Sequence, residues 1–291
     1  PDIISMSWGW REDAQCSITH CTNETSAIYI ERVNMEYVKL GLRGVSIVTA
    51  SGDAGAPGRT NEDCYNESKV NAVYPGASPW VTSVGGTFIV KDNETRKWTT
   101  TMCIDNDCFT GNKERVTNFN YTGWTSGGGF SKYTNRSTYG WQVKAVDDYL
   151  SSNIPLPNDF ARHGRAYPDV SMIGHSCPVV MNGNIDGIDG TSCSSPLFAT
   201  VLSILNEHQL ARGRNKIGFA SPLLYAMFYS NYYIFNDITE GNNYCTEDMC
   251  CDTRSNGGSD YGYMAGFGYD PVYGLGTPNV ERMKDWLDLF T

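Results

Sequence analysis

Two short runs of apolar, β-branched residues bracket one amphipathic stretch, and that succession restricts the fold more than any other feature of the chain. Ile3-Ile4-Ser5-Met6-Ser7 reads as a buried strand. Thr25 or Ser26 caps a helix reaching about Leu42, with Ile30, Val33, Tyr37 and Leu40 on one face and Arg32, Glu36, Lys39 and Arg43 on another. Gly44 supplies the stop, and Val45–Ala50 follows as a second buried strand. Strand, helix and strand form a βαβ unit, so an α/β fold with a mostly parallel sheet is expected. Sheets of this kind collect function at the carboxyl ends of their strands. Residues 59–125 read as polar loops around one or two strands, with an apolar stretch at Trp80–Val90. Pro196–Leu210 reads as a helix that is apolar on several sides, which belongs at the centre of a domain. The tail is loop-rich from Asn231 to Gly276 and ends in a short helix carrying Met283, Trp286 and Leu289.

Two motifs at such positions carry chemistry. Gly190-Thr191-Ser192-Cys193-Ser194-Ser195-Pro196 runs into the apolar helix, with Pro196 placed in its first turn. A serine there sits beside unpaired N–H groups and the positive end of the helix dipole, donors that can hold an oxyanion. An ordinary Ser/Thr cap would explain the same residues. Ala50-Ser51-Gly52-Asp53-Ala54-Gly55 ends the second strand. A plain Asx turn explains it as a structural feature. Functionally, an ionised Asp53 would repel an oxyanion and a protonated one could donate to it. Since Asp titrates near ~3.9, that role calls for acid, a raised pKa, or both.

Formal charge is −10, from 22 Lys and Arg against 32 Asp and Glu, which argues against nucleic acid or an anionic membrane as partner. No apolar run approaches the length of a membrane span. Ten cysteines accompany five Asn-x-Ser/Thr sequons, at Asn23, Asn66, Asn93, Asn120 and Asn135. Together they indicate a glycoprotein of a lysosomal or other acidic endomembrane compartment, or a secreted one. Cys16 and Cys21, and Cys103 and Cys108, are spaced for local loops; Cys193 is within reach of Cys177, and Cys64 of the group at 245, 250 and 251. Connectivity stays open at this level.

Five motifs in order resemble the sedolisins, or serine-carboxyl peptidases, over nearly the whole chain. They are Ile4-Ser5-Met6-Ser7-Trp8-Gly9, the Ser-Gly-Asp-x-Gly at 51–55, Ser126-Gly127-Gly128-Gly129-Phe130-Ser131, Gly164-Arg165-Ala166-Tyr167-Pro168-Asp169-Val170, and the Gly-Thr-Ser at 190–192. The wider subtilisin fold places Asn where Asp53 stands. The resemblance implies a subtilisin-like three-layer α/β fold forming a single domain over 1–291. Ser192 would be the nucleophile, and Asp53 would share the oxyanion hole with the Ser192 N–H. Ser7, Trp8, Gly9, Ser126, Gly127 and Gly128 would flank the backbone of a peptide or protein substrate, as glycine-bearing edges allow. One structural calcium would sit in the region about 235–276, held by Asp237, Ile238, Gly266, Gly268 and Asp270, a set of oxygen donors suited to that ion.

The family draws its base from a Glu and an Asp one helical turn apart, upstream of the strand matched by Ile3–Ser7. The expectation is that an N-terminal light chain of the same precursor supplies them, and that the N-terminal part of the domain is missing here. The alternative is a catalytically inactive peptide-binding glycoprotein on the same fold. A neutral subtilisin-type peptidase with histidine from the missing segment is a weaker third reading. His20, His163, His175 and His208 lie in no subtilisin base motif and read as surface or structural.

Overall fold

A computed structural model describes residues 1–58, 70–91, 112–244, 246 and 262–290. Strands β1 (Ile3–Met6), β2 (Ser46–Ala50), β3 (Thr82–Lys91), β4 (Asn112–Val116) and β5 (Val170–Ile173) form one sheet. β1 runs parallel to β2 and β2 to β3, with Ile4 opposite Ile47 and Val48 opposite Thr82. β5 lies parallel on β3, Val84 opposite Val170, and only β4 is antiparallel. Helix α1 (Ser26–Leu42) makes the crossover between β1 and β2, as its apolar periodicity predicts. Thr25 Oγ1 accepts from the Ile28 N–H, and Gly44 turns the chain at φ +79°.

Helix α2 (Thr191–Leu210) packs against β1, β2, β3 and β5, burying Phe198, Val201, Leu202 and Leu205. Its other side meets α3 (Val280–Phe290), where Met283 and Leu287 are buried. Leu197 and Ile204 are exposed on the remaining side, so the helix is covered on two flanks rather than all round. It also begins five residues before Pro196, and that proline is inside the helix instead of in its first turn. An antiparallel hairpin, β6 (Cys177–Met181) and β7 (Asn184–Ile188), leads from β5 toward α2. The consequence is positional. Ser7–Gly9 follows β1, Ser51–Gly55 follows β2, and the start of α2 arrives at that same carboxyl edge.

Candidate active site

The turn after β2 is fastened to the start of α2 by side chains on neighbouring loops. Thr191, fully buried, donates its N–H and its hydroxyl to Asp53 Oδ1, each at 2.7 Å. The same hydroxyl accepts from the Gly52 N–H at 3.1 Å. Gly190 lies at φ +121°, and a Cβ there would stand 2.9 Å from Asp53 Oδ2. Glycine is therefore demanded by both the backbone and the carboxyl group. Ser192 is the second residue of α2, half-buried, on the same cavity wall as Asp53.

Ser7, Trp8 and Gly9 line that cavity together with Gly52, Asp53 and Ser192. Trp8 is 60% exposed and stacks parallel on Trp10. Ser126, Gly127 and Gly128 are buried against the Asp53 turn. The Gly127 N–H donates to the Gly52 carbonyl at 2.7 Å, and Ser126 Oγ accepts from the Gly86 N–H at 2.9 Å. A Cβ at Gly127 would meet the Ser51 carbonyl at 2.6 Å, and one at Gly128 the Pro271 carbonyl at 2.1 Å. Close backbone approach explains these glycines.

Residues 1–214 match the Subtilase family profile. The chain belongs to the subtilase family. It is 41% identical over 290 residues to physarolisin of Physarum polycephalum, covering 97% of this chain and 49% of that protein. It is 35% identical over 289 residues to human tripeptidyl-peptidase 1, covering 97% of this chain and 42% of that one. Tripeptidyl-peptidase sed1 of Aspergillus fumigatus is 35% identical over 311 residues, with 100% and 41% covered. The chain thus spans about half the length of the curated relatives it matches. Among solved structures, Pseudomonas sedolisin, a serine-carboxyl proteinase complexed with pseudo-iodotyrostatin, superposes with a TM-score of 0.70 at 23% identity, over 99% of this chain and 66% of that one. That likeness is one of fold.

No histidine or acidic side chain among the described residues is hydrogen-bonded to the Ser192 hydroxyl. His175 Nδ1 lies 2.9 Å from Asp189, and His208 Nε2 lies 3.0 Å from Asp288. Disulfides join Cys16 to Cys21 and Cys177 to Cys193, the second bracing the residue after Ser192. Cys64, Cys103, Cys108, Cys245, Cys250 and Cys251, like Asn66 and Asn93, lie outside the described residues, as does the Asn120 side chain. Asn23 and Asn135 are exposed.

A second acidic cluster brings Asp237 and Asp270 to one place. Asp237 Oδ2 accepts from the Gly268 N–H at 3.1 Å, and Asp270 Oδ2 accepts from the Gly266 N–H at 2.7 Å. The Tyr273 hydroxyl lies 3.1 Å from Asp237 Oδ1 and 2.8 Å from the Gly266 carbonyl oxygen. Ile238 and Asp270 are buried, and no Lys or Arg among the described residues pairs with either aspartate. Two carboxylates and a nearby carbonyl without a positive partner fit a hard cation.

Sequence reasoning gave no role to Thr191, which links Asp53 to the start of α2, nor to Glu12. Thr191 sits in a motif already singled out. Its significance needs the β2 turn beside it.

Proposed function

We propose that this chain carries the nucleophile and the oxyanion-hole acid of a serine-carboxyl peptidase that cleaves peptide bonds in acid, as an endopeptidase or a tripeptidyl peptidase. The meeting of Ser192, Asp53 and Ser7–Gly9 on one cavity carries this reading. The names of physarolisin and the tripeptidyl-peptidases support it. Ser192 Oγ attacks the scissile carbonyl carbon and passes its proton to a Glu oriented by an Asp. That pair comes from a segment outside this chain, the N-terminal light chain of the same precursor. The oxygen that gains charge accepts from the Ser192 N–H and from the protonated Asp53 carboxyl. The leaving amine takes a proton, and water then hydrolyses the acyl-enzyme at Ser192. The substrate backbone runs as an added strand flanked by Ser7–Gly9 and Ser126–Gly128.

One calcium would be held by Asp237 and Asp270 with main-chain oxygens of Ile238, Gly266 and Gly268. Bound there, it neutralises a buried carboxylate and draws the tail loops together. The chain works as a glycoprotein, carrying glycan on Asn23, Asn66, Asn93, Asn120 and Asn135, in a lysosomal or other acidic compartment or outside the cell. Among the described residues no helix is long and apolar enough to cross a membrane.

The test is Ser192→Ala in the full-length native protein, assayed on peptides between about pH 3 and 5. Loss of turnover by ~10⁴-fold or more is expected, the scale of removing a serine nucleophile. Full activity in the variant would overturn the mechanism. No turnover by the unaltered protein, with every chain present, would turn the reading to a peptide-binding glycoprotein.

A further inference from the structure

Pro196 lies inside α2, four residues after Ser192. In an α-helix the N–H of residue i+4 bonds to the carbonyl of residue i, and proline has no N–H to give. The Ser192 carbonyl is thereby deprived of its partner within the helix, at the residue whose orientation matters most for attack. Ser7 replaces it from another element. Its hydroxyl donates to the Ser192 carbonyl oxygen at 3.0 Å, across a separation of 185 residues.

A second rung lies beside the first. Ser5 Oγ is 3.0 Å from Ser195 Oγ. Ser5 and Ser7 are two apart on an extended segment and point to the same side, while Ser192 and Ser195 are three apart on a helix and share a face. The end of β1 is thus stitched to the opening of α2 at two matched positions. Thr191 bonds Asp53 on the other side of Ser192. The Thr191 N–H on one side of the nucleophile and the Ser192 carbonyl on the other are each held by a side chain from a different loop.

We propose that Ser7 is a positioning residue for the nucleophile: its hydroxyl supplies the hydrogen bond that Pro196 withholds from the Ser192 carbonyl, and so fixes the direction in which Ser192 presents Oγ. The inference rests on Ser192 being the nucleophile. Ser7 thus lines the cavity and reaches the helix through its hydroxyl. An unsatisfied carbonyl would otherwise rotate toward water, carrying the Ser192 backbone with it. A proline at this point leaves the bond open to a partner outside the helix. The geometry of attack then depends on β1 lying correctly against α2.

The experiment uses the full-length native protein and two readouts: steady-state peptide hydrolysis in acid, and the rate of covalent labelling of Ser192 by a fluorophosphonate. Ser7→Ala is expected to lower kcat and the labelling rate together by about 10- to 100-fold, the scale of one hydrogen bond that orients a reacting group, with KM little changed. Ser7→Thr keeps the hydroxyl and should keep most of the rate. The deciding variant is Ser7→Ala with Pro196→Ala, which gives the helix back its own N–H donor and should recover both rates. A Ser7→Ala variant at unaltered kcat, a loss confined to KM, or a loss that Pro196→Ala fails to rescue would each overturn the inference. Failure of the unaltered protein to label at Ser192 would instead remove the nucleophile reading on which it stands.

Discussion

Asp53 and Asp169 stand at opposite edges of the same parallel sheet. Asp53 follows β2 at the carboxyl edge, half-buried, and accepts from the N–H and the hydroxyl of Thr191. Asp169 precedes β5 at the amino edge. It is fully buried, 2.5 Å from the guanidinium of the equally buried Arg165, and accepts also from the Ser83 N–H and the Tyr225 hydroxyl. Both belong to motifs that are equally conspicuous in the sequence. The surroundings separate them: a carboxyl group with a cation partner and both oxygens bonded is a structural tie. Asp53 stands instead beside a serine on the wall of a cavity. This division of labour between sheet edges is general to open α/β sheets.

Breaking the tie should give the largest loss of stability. Arg165→Met leaves Asp169 buried without its cation, and removing one partner of a buried pair costs about 3–5 kcal/mol. Urea unfolding should show that drop, and adding Asp169→Asn should return part of it. Turnover per folded molecule should hold near its original value. A stable Arg165→Met protein would mean that the hydrogen bonds from Ser83 and Tyr225 suffice. The matching change at the other edge is Asp53→Ala, expected to lower kcat by about 10²–10³-fold with little loss of stability, as for loss of one oxyanion-hole donor. Asp53→Asn keeps an acceptor for Thr191 and an N–H donor that needs no acid. Its activity should therefore extend toward neutral pH, and a profile that still falls with the original midpoint would remove Asp53 from the oxyanion hole.

What could be read from sequence was local. Thr25 and Gly44 cap α1 through their own short-range geometry, and the β-branched runs at 3–7 and 45–50 become parallel neighbours as patterned. The start of α2 was not legible, because Pro196 looks like a first-turn residue until Ser7 is seen to satisfy the Ser192 carbonyl from another strand. Hairpin β6–β7 has a signal that apolar periodicity does not weigh: Asn182-Gly183, both at positive φ, between Val180 and Ile185, which pair across the ladder and are 75% and 71% exposed. Arg165 and Thr191 lie within motifs visible in the sequence, yet their partners come from tertiary structure.

The smallest predicted effect joins acid to stability rather than to rate. Glu12 neighbours the cavity-lining Arg11 and is 2% exposed. Its Oε2 accepts from Ser131 Oγ at 2.9 Å and its Oε1 from the Lys132 N–H. Burial nevertheless lifts its pKa to about 7, against the pull of those bonds and of the Lys132 charge, with Asp13 adding to the rise. In the unfolded chain the group titrates near ~4.3. The folded protein therefore binds the proton more tightly, and the contribution is whole below about pH 4 and lost as pH climbs through about 7. At 1.36 kcal/mol per unit the difference amounts to about 3–4 kcal/mol in favour of acid. Glu12→Gln has nothing to titrate and can accept from only one of Ser131 and the Lys132 N–H, so it is less stable in acid but its stability should vary less between pH 4 and 7, by about that amount. Denaturant midpoints at the two pH values measure it. Parallel profiles for the two proteins would mean that the Glu12 proton does not couple to folding. A flattened one would show that acid stabilises the fold through Glu12, at the turn beside the cavity.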